Sequence, residues 1–183
     1  YITTPVAIGI IFQILFDWKA GTVNGILVGL GILKEPIYWL GYAWSARVVV
    51  ILLLTWQNFG YMMVMFLAGL STIPVELYEA AKVDGATPWQ RFRFVTWPML
   101  RPVTAVLLLY GLLGTMYSFN IVYMMFGHGA GYPGEWGDLL MTNLFRNTFG
   151  LWNFGLGAAA STLYMLLSLG LILFWYRVFR EDL

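Results

Sequence analysis

The sequence contains no cysteine, and only 10% of its 183 residues are charged. The absence of cysteine excludes disulfides and thiol chemistry within this chain. Soluble domains carry about 25% charged residues, because water has to solvate their surfaces. Here 60% of the residues are hydrophobic and the mean hydropathy is +0.75. Since lipid solvates apolar side chains, this composition predicts an integral membrane protein.

Three long runs contain no Asp, Glu, Lys or Arg, namely 48–67, 102–126 and 154–176. Each reaches the ~20 residues that a helix needs to span a bilayer. The alternative, buried helices of a soluble core, would need three such runs in one small chain. Segment 3–16 is shorter, and we interpret it as the end of a span whose start lies in missing N-terminal sequence. The predicted fold is therefore an all-α bundle of about four transmembrane spans, forming one domain over 1–183.

Basic residues are unevenly distributed between the connections. Segment 68–101 contains four of them and the C-terminal tail contains Arg177 and Arg180, whereas segment 17–46 contains only Lys19 and Lys34 before the boundary residue Arg47. The positive-inside rule places the richer segments in the cytoplasm. Segment 68–101 and the C-terminus are therefore predicted to be cytoplasmic, with alternating spans between them.

Local chemistry predicts a first helix within the loop 71–98. Thr72 is expected to cap it, and Pro74 is expected in its first turn, where a missing N–H costs nothing. Asp84 and Gly85 are expected to end it, because glycine adopts the left-handed conformation that follows many helices. The loop is thus predicted to hold more order than a simple connection requires.

A second helix is predicted to follow at once. Thr87, Pro88 and Gln90 stand in the register of a capping box with proline at the first helical position. The helix is expected to reach about Val95, and Pro98 is expected to break the chain before the next span. Local chemistry leaves two interpretations open: a docking element for another protein, or a hairpin that rests on the lipid headgroups.

The sequence of this loop resembles the EAA loop of ABC importer permeases. The resemblance rests on Tyr78-Glu79-Ala80-Ala81-Lys82-Val83-Asp84-Gly85-Ala86 and on Trp89-Gln90-x-Phe92. It continues in Trp56-x-x-x-Gly60-Tyr61-Met62-Met63 and in Asn153-Phe154-Gly155-Leu156-Gly157-Ala158-Ala159-Ala160. These forms are similar to the carbohydrate-uptake branch, the maltose and glycerol-phosphate type, and the likeness covers nearly the whole chain. The Gly-rich stretch 127–134 matches the family only loosely.

The resemblance implies a type I importer permease whose loop carries a coupling helix. By that resemblance the residues that dock on the ATPase are Glu79, Ala80, Ala81, Asp84 and Gly85. The implied partners are two cytoplasmic ATPase subunits, a second homologous permease, an extracytoplasmic solute-binding protein, a sugar-like solute and the lipid bilayer. The implied location is the plasma (inner) membrane of a bacterium or archaeon.

The spans contain no ionisable residue, which argues against proton- or ion-coupled transport. No G-x-x-x-x-G-K-[ST] sequence is present either, so this chain is not expected to hold ATP phosphates. Both features fit a permease that a separate ATPase drives. No catalytic set is found, the single histidine His128 lacks neighbouring metal ligands, and no basic cluster suggests nucleic acid. We therefore expect no enzyme activity, cofactor, metal or nucleic-acid partner.

Neutral polar residues within the spans are candidates for the solute path. Asn58 and Tyr61 are three residues apart, as are Tyr117 and Asn120, so each pair is expected to share a helix face. Beside aromatic rings, such groups suit a neutral sugar with an apolar face and hydroxyl edges. The alternative is that they hydrogen-bond helices together, at ~0.6–2 kcal/mol each. Two other functions stay open: import of another polar solute (a polyamine, amino acid or sugar phosphate), and a non-transporting scaffold or truncated remnant.

Overall fold

A computed structural model describes residues 3–126 and 139–180, and all regular structure in these ranges is helical. The α-helices are α1 (Pro5–Leu15), α2 (Thr22–Gly29), α3 (Ala43–Ser71), α4 (Val75–Val83), α5 (Pro88–Arg91), α6 (Trp97–Met99), α7 (Arg101–Met116), α8 (Asn120–Met125), α9 (Leu140–Phe145) and α10 (Phe154–Phe179). Two π-helical turns, Phe92–Thr96 and Arg146–Gly150, follow α5 and α9. The all-α prediction is confirmed. The Gly-rich stretch and His128 lie outside the described residues.

Two of the described helices, α3 and α10, are long and apolar enough to cross a membrane. The helix α3 begins before and ends after the predicted run 48–67. Its 29 residues extend about 43 Å, which is longer than the ~30 Å thickness of the hydrocarbon core. The helices α5–α6 and α7 pass the same test only as one broken unit, bent by 63°. The shorter apolar helix α1 begins at the cap Thr4. The count of four spans stays a prediction.

The uninterrupted helix expected over 102–126 is wrong. The helix α7 ends at Met116, and α8 begins only at Asn120. At the break the Ser118 hydroxyl donates to the Gly114 carbonyl over 2.7 Å. An apolar run favours insertion in lipid but does not require one straight axis. The packing of α8 against α1 gives this short helix a partner of its own, so the break reflects tertiary contact.

The chain divides into two compact units, and the first comprises Tyr1–Asn58 and Gly114–Leu167. Its core joins α1, the start of α3 and α8; the buried apolar residues are Ile8, Phe16, Leu40, Ala46, Val49, Val50, Leu53, Ile121, Val122, Met125 and Phe126. At Gly9 a Cβ atom would clash with the Ile121 carbonyl oxygen. The backbones of α1 and α8 therefore approach at a distance that only glycine permits.

The first connection, residues 16–42, joins α1 to α3 within this unit and is organised around Asn24. This side chain is only 3% exposed. Its amide donates to the Ile37 carbonyl over 2.8 Å and to the Trp18 carbonyl over 3.2 Å. Its oxygen accepts from the Ile37 backbone N–H at 3.1 Å and from the Trp39 indole at 2.8 Å. One buried amide thus joins both ends of the connection around α2.

The second unit comprises Phe59–Leu113 and Ser168–Leu183. Within it α3 and α7 pack where a Cβ on Gly69 would lie 2.9 Å from a Val103 methyl carbon. The indole of Trp175 on α10 donates to the Ala105 carbonyl on α7 over 2.9 Å. These contacts hold α7 between α3 and α10 in this unit. The single-domain organisation expected from the sequence stays a prediction.

Candidate functional site

The second connection, residues 72–100, lies in the second unit and contains the residues predicted to dock on a partner. Its first helix, α4, begins after Pro74, which has extended backbone angles and provides no side-chain cap. The predicted cap Thr72 is wrong. The hydroxyl of Thr72 instead donates to the Gly69 carbonyl over 2.8 Å. Because Thr72 lies two residues before the helix boundary, it satisfies the open end of α3 rather than the start of α4.

The predicted stop at Asp84 and Gly85 is confirmed. Gly85 has a φ of +75°, in the left-handed region that glycine favours. Its N–H donates to the Lys82 carbonyl over 3.0 Å, and the next residue, Ala86, donates to the Ala81 carbonyl over 2.9 Å. This pair of bonds is the Schellman motif, which satisfies the last carbonyls of the helix. The exposed end of α4 therefore has a fixed backbone shape.

The predicted capping box at the next helix is also confirmed. The Gln90 N–H donates to the Thr87 hydroxyl over 3.3 Å, and the Thr87 N–H donates to the Gln90 side-chain oxygen over 2.7 Å. Two of the N-terminal N–H groups are thus satisfied without any contact to the rest of the protein. The turn between the helices is determined by its own residues.

The predicted end of the second helix near Val95 is wrong, and Pro98 does not break the chain. The helix continues through the π-helical turn Phe92–Thr96 and α6 to Met99, and the bend to α7 follows at Leu100. In the wider turn Trp97 donates to the Phe92 carbonyl, five residues back. A π-helical turn changes the register just before the proline, where an α-helix would lose a bond and meet the ring.

The outer surface of this connection is uncovered. None of the side chains of α4 or α5 is buried. Among the predicted docking residues, Glu79, Ala80, Asp84 and Gly85 are exposed, whereas Ala81 is half-buried. The Tyr78 and Thr96 hydroxyls, 2.9 Å apart, hold α4 against the following helix on the opposite side. The connection is rigid from within, but a face of α4 has no partner in the described chain.

One residue of this surface was missed by the sequence analysis. Val83 is 88% exposed, although it is a β-branched apolar residue in the last turn of α4. Water does not favour such exposure, and a protein surface would cover it at a gain of roughly 1.5–3 kcal/mol. The sequence did contain a signal for this residue: an apolar side chain directly precedes the Asp-Gly sequence that ends the helix.

The two polar candidates on α3 make local contacts. The Asn58 amide, which is half-buried, donates to the Leu54 carbonyl one turn earlier over 2.8 Å. Its side-chain oxygen remains an available acceptor by chemistry. The Tyr61 ring lies 5.0 Å from the Tyr110 ring on α7. Asn58 and Leu54 belong to the first unit, whereas Tyr61 and Tyr110 belong to the second. Each of these two contacts therefore lies within one unit.

The other two candidates flank the break between α7 and α8, so the expectation that they share a helix face is wrong. Tyr117 is exposed directly after α7 and meets the Tyr164 ring edge-on at 5.7 Å. Asn120 is exposed at the first position of α8. At the break the backbone N–H and C=O groups lie outside regular helix hydrogen bonding. Two neutral polar side chains stand beside these groups, as at the interrupted helices of transporters.

The chemistry that these residues offer is hydrogen bonding. The four path candidates carry amide and phenol groups, which can both donate and accept hydrogen bonds. Within residues 3–126 and 139–180, no three His, Asp or Glu side chains form a cluster that could hold a metal ion. The described residues offer an unburied helix, α4, and neutral groups that can form hydrogen bonds.

Comparison with known families gives the context of both sets of residues. Residues 2–182 match the family described as binding-protein-dependent transport system inner membrane component. The chain belongs to this permease family. The match spans the second connection and both sides of the helix break, so both candidate sets lie within the permease region.

Several curated permeases are similar in sequence. The lactose transport system permease of Rhizobium radiobacter is 38% identical over 81% of this chain and 49% of its own length. The sulfoquinovosyl glycerol permease of Agrobacterium fabrum is 36% identical over 94% of this chain and 54% of its own length. The trehalose/maltose permease of Thermococcus litoralis is 34% identical over 93% of this chain and 57% of its own length. This chain therefore spans about half the length of the curated permeases that it matches.

A solved permease has the same fold. The crystal structure of a bacterial ABC transporter for the import of alginate, an acidic polysaccharide, superposes with a TM-score of 0.85. The alignment covers 98% of this chain and 62% of that one, at 24% identity. A second structure of the alginate transporter contains its periplasmic protein with an alginate pentasaccharide. The predicted permease fold is confirmed.

Proposed function

We propose that this chain forms part of a membrane permease subunit in an ATP-driven, binding-protein-dependent sugar importer. Two cytoplasmic ATPase subunits, a second homologous permease and an extracytoplasmic solute-binding protein would complete the transporter. In this arrangement the second connection and the C-terminus are cytoplasmic, as the basic residues indicate. The sugar assignment is supported by the names of the similar permeases, three of which handle sugars or sugar derivatives.

The observation that carries the proposal is the uncovered, internally rigid face of α4. A helix with caps at its end but without buried side chains gains little by packing on its own chain. It is suited to packing on another protein, because a preorganised surface loses little entropy on binding. The small side chain of Ala80 allows a partner backbone to approach, and Val83 offers apolar area beside it.

Charged groups on α4 would orient the partner. The carboxylate of Glu79 is exposed one turn before Val83, where it can pair with a basic side chain of the ATPase. Asp84 and Gly85 form the exposed end of the helix. Ala81, half-buried, would act from the inner side by keeping α4 close to the following helix. Movement of the ATPase would then reach α7 through the continuous helix that ends at Met99.

The solute path is proposed to run past Asn58, Tyr61, Tyr117 and Asn120. The break between α7 and α8 supports this, because interrupted helices in transporters present backbone groups to polar solutes. Tyr117 and Asn120 stand on either side of that break. A phenol ring and amide groups together match the apolar face and the hydroxyl edges of a neutral sugar.

Cross-linking from a single introduced cysteine tests the docking surface. The described chain has no native cysteine to interfere, and the full-length permease should be used in membranes of its own host. Ala80→Cys is expected to form an adduct with an ATPase subunit, and ATP is expected to change its yield. Ala81→Cys should react less, because that side chain is half-buried.

A matched position in the first connection provides the control. The native Leu30 side chain is 70% exposed. A cysteine at this position, Leu30→Cys, should therefore label well without linking to the ATPase. If Ala80→Cys labels freely with small reagents but forms no ATPase adduct, α4 is not the docking helix. An ATPase adduct from Leu30→Cys would instead reverse the proposed orientation.

A further inference from the structure

A groove runs along the last turns of α10. Gly170 leaves a gap in the helix surface, and two arginines stand at the lower end of the gap. The groove encloses about 560 Å³ and is lined by Gly170, Leu173, Phe174, Tyr176, Arg177 and Arg180. All six belong to the second unit. The groove therefore combines apolar walls with two cationic groups.

The groove faces away from α7. The indole of Trp175 bonds to Ala105, which fixes the side of α10 that α7 covers. Successive helical residues are rotated by about 100°, so Arg177 and Arg180 point to the side opposite Trp175. Phe174, which also lines the groove, is 68% exposed. The contact with α7 thus directs the groove outward from the helix pair.

The two arginines follow the uncharged part of α10. The uncharged run 154–176 above them would extend about 34 Å along a helix, slightly more than the ~30 Å hydrocarbon core. Arg177 and Arg180 are three residues apart, so their side chains are neighbours on one face. Guanidinium groups at this level meet the phosphate layer of the bilayer, while the groove above them lies among the acyl chains.

We propose that this groove binds one anionic phospholipid, with its phosphate between Arg177 and Arg180 and an acyl chain over Gly170. Charge complementarity favours this occupant, because a guanidinium fork matches phosphate oxygens and carries a permanent positive charge. The apolar walls Leu173 and Phe174 suit a hydrocarbon chain. The proposal requires membrane insertion of α10 but does not depend on the transported solute.

The test measures lipid binding to the full-length permease in its purified complex. Native mass spectrometry would follow titration with phosphatidylglycerol and, separately, with phosphatidylcholine. Wild type should prefer phosphatidylglycerol, and each arginine should contribute about fivefold to that preference. The double variant Arg177→Gln/Arg180→Gln should lose about 25-fold of the preference, and Arg177→Lys/Arg180→Lys should retain most of it.

A charge-matched control separates a site from a general charge effect. Lys34→Gln/Arg93→Gln removes the same net charge from exposed positions elsewhere and should leave the preference unchanged. Equal loss in this control, an unchanged preference in the glutamine pair, or a loss in the lysine pair as large as in the glutamine pair would each overturn the proposal. So would efficient cross-linking of Phe174→Cys to another subunit, because a protein would then occupy the groove.

Discussion

The two connections of this chain are similar in length but are held in opposite ways. The first connection closes around the buried Asn24, and its rings pack on one another, with Trp18 and Tyr38 5.6 Å apart and Phe16 and Trp39 5.7 Å apart. The second connection owes its shape largely to backbone caps and leaves the side chains of α4 and α5 unburied. A segment that is stabilised by its own core buries its side chains within the chain. A segment that is stabilised by backbone caps leaves side chains exposed, and these can contact a partner.

Removing the central amide should have the largest effect. Asn24→Ala would leave the Ile37 N–H and the Trp39 indole without their acceptor, and three carbonyls without their donor. We expect the free energy of unfolding to fall by about 3 kcal/mol, since buried unpaired groups are costly. Thermal unfolding of the full-length protein in detergent would measure this. Asn147→Ala, which removes exposed bonds to Asn143, should cost less than about 1 kcal/mol.

A bulky substitution in the second connection should give the reverse pattern. Ala80→Trp adds a large ring to an exposed position, so stability should be unchanged while import falls by about tenfold or more through loss of docking. Solute uptake into proteoliposomes and unfolding of the same sample would be compared. Ala80→Ser should support normal uptake. Loss of stability in the tryptophan variant would show that this face already has a partner within the chain.

The caps themselves can be tested with two glycines. Gly85→Ala puts a Cβ at a φ of +75° and should destabilise the end of α4 by about 1 kcal/mol. Faster hydrogen exchange of residues 80–86 would report it. Gly25→Ala, in the middle of α2 with open space around it, should instead be neutral or stabilising by up to about 1 kcal/mol. Equal effects at both positions would contradict the role of the left-handed cap.

The smallest effect is expected from pH. The backbone N–H groups of Ala20 and Lys19 donate to the Asp17 carboxylate and hold its pKa below the usual range. The stabilisation is therefore complete above the ordinary pKa of about 4 and is lost as pH falls through the lower value of the folded protein. Asp17→Asn should be slightly less stable than wild type at neutral pH, and the gap should close in acid. Unfolding between pH 3 and pH 7 would measure it, and a constant gap would exclude the carboxylate as the cause.

Local chemistry predicted the parts of the fold that depend on neighbouring residues. The capping box at Thr87 and the stop at Gly85 each involve atoms within five residues, and both were predicted correctly. Thr72 failed because two open helix ends lay within its reach. The second helix passed Pro98 because a π-helical turn absorbed the proline, and the sequence carries no general sign for such a turn.

Features that depend on distant contacts were not accessible in the same way. The break after α7 lies in a uniformly apolar run and accompanies the packing of α8 on α1, a contact between remote parts of the sequence. The role of Asn24 depends on bonds to residues up to 15 positions away. The predicted docking and path residues rest on family resemblance and residue chemistry, so their roles stay predictions.

The close approach at Gly9 also bears on how the protein is made. The backbone that α1 needs as its neighbour, around Ile121, is synthesised more than a hundred residues later. During translation α1 therefore has to wait in the insertion machinery or the bilayer while α3 and α7 emerge. The contact at Gly9 can form only after α8 has been synthesised, so the order of assembly differs from the order of synthesis.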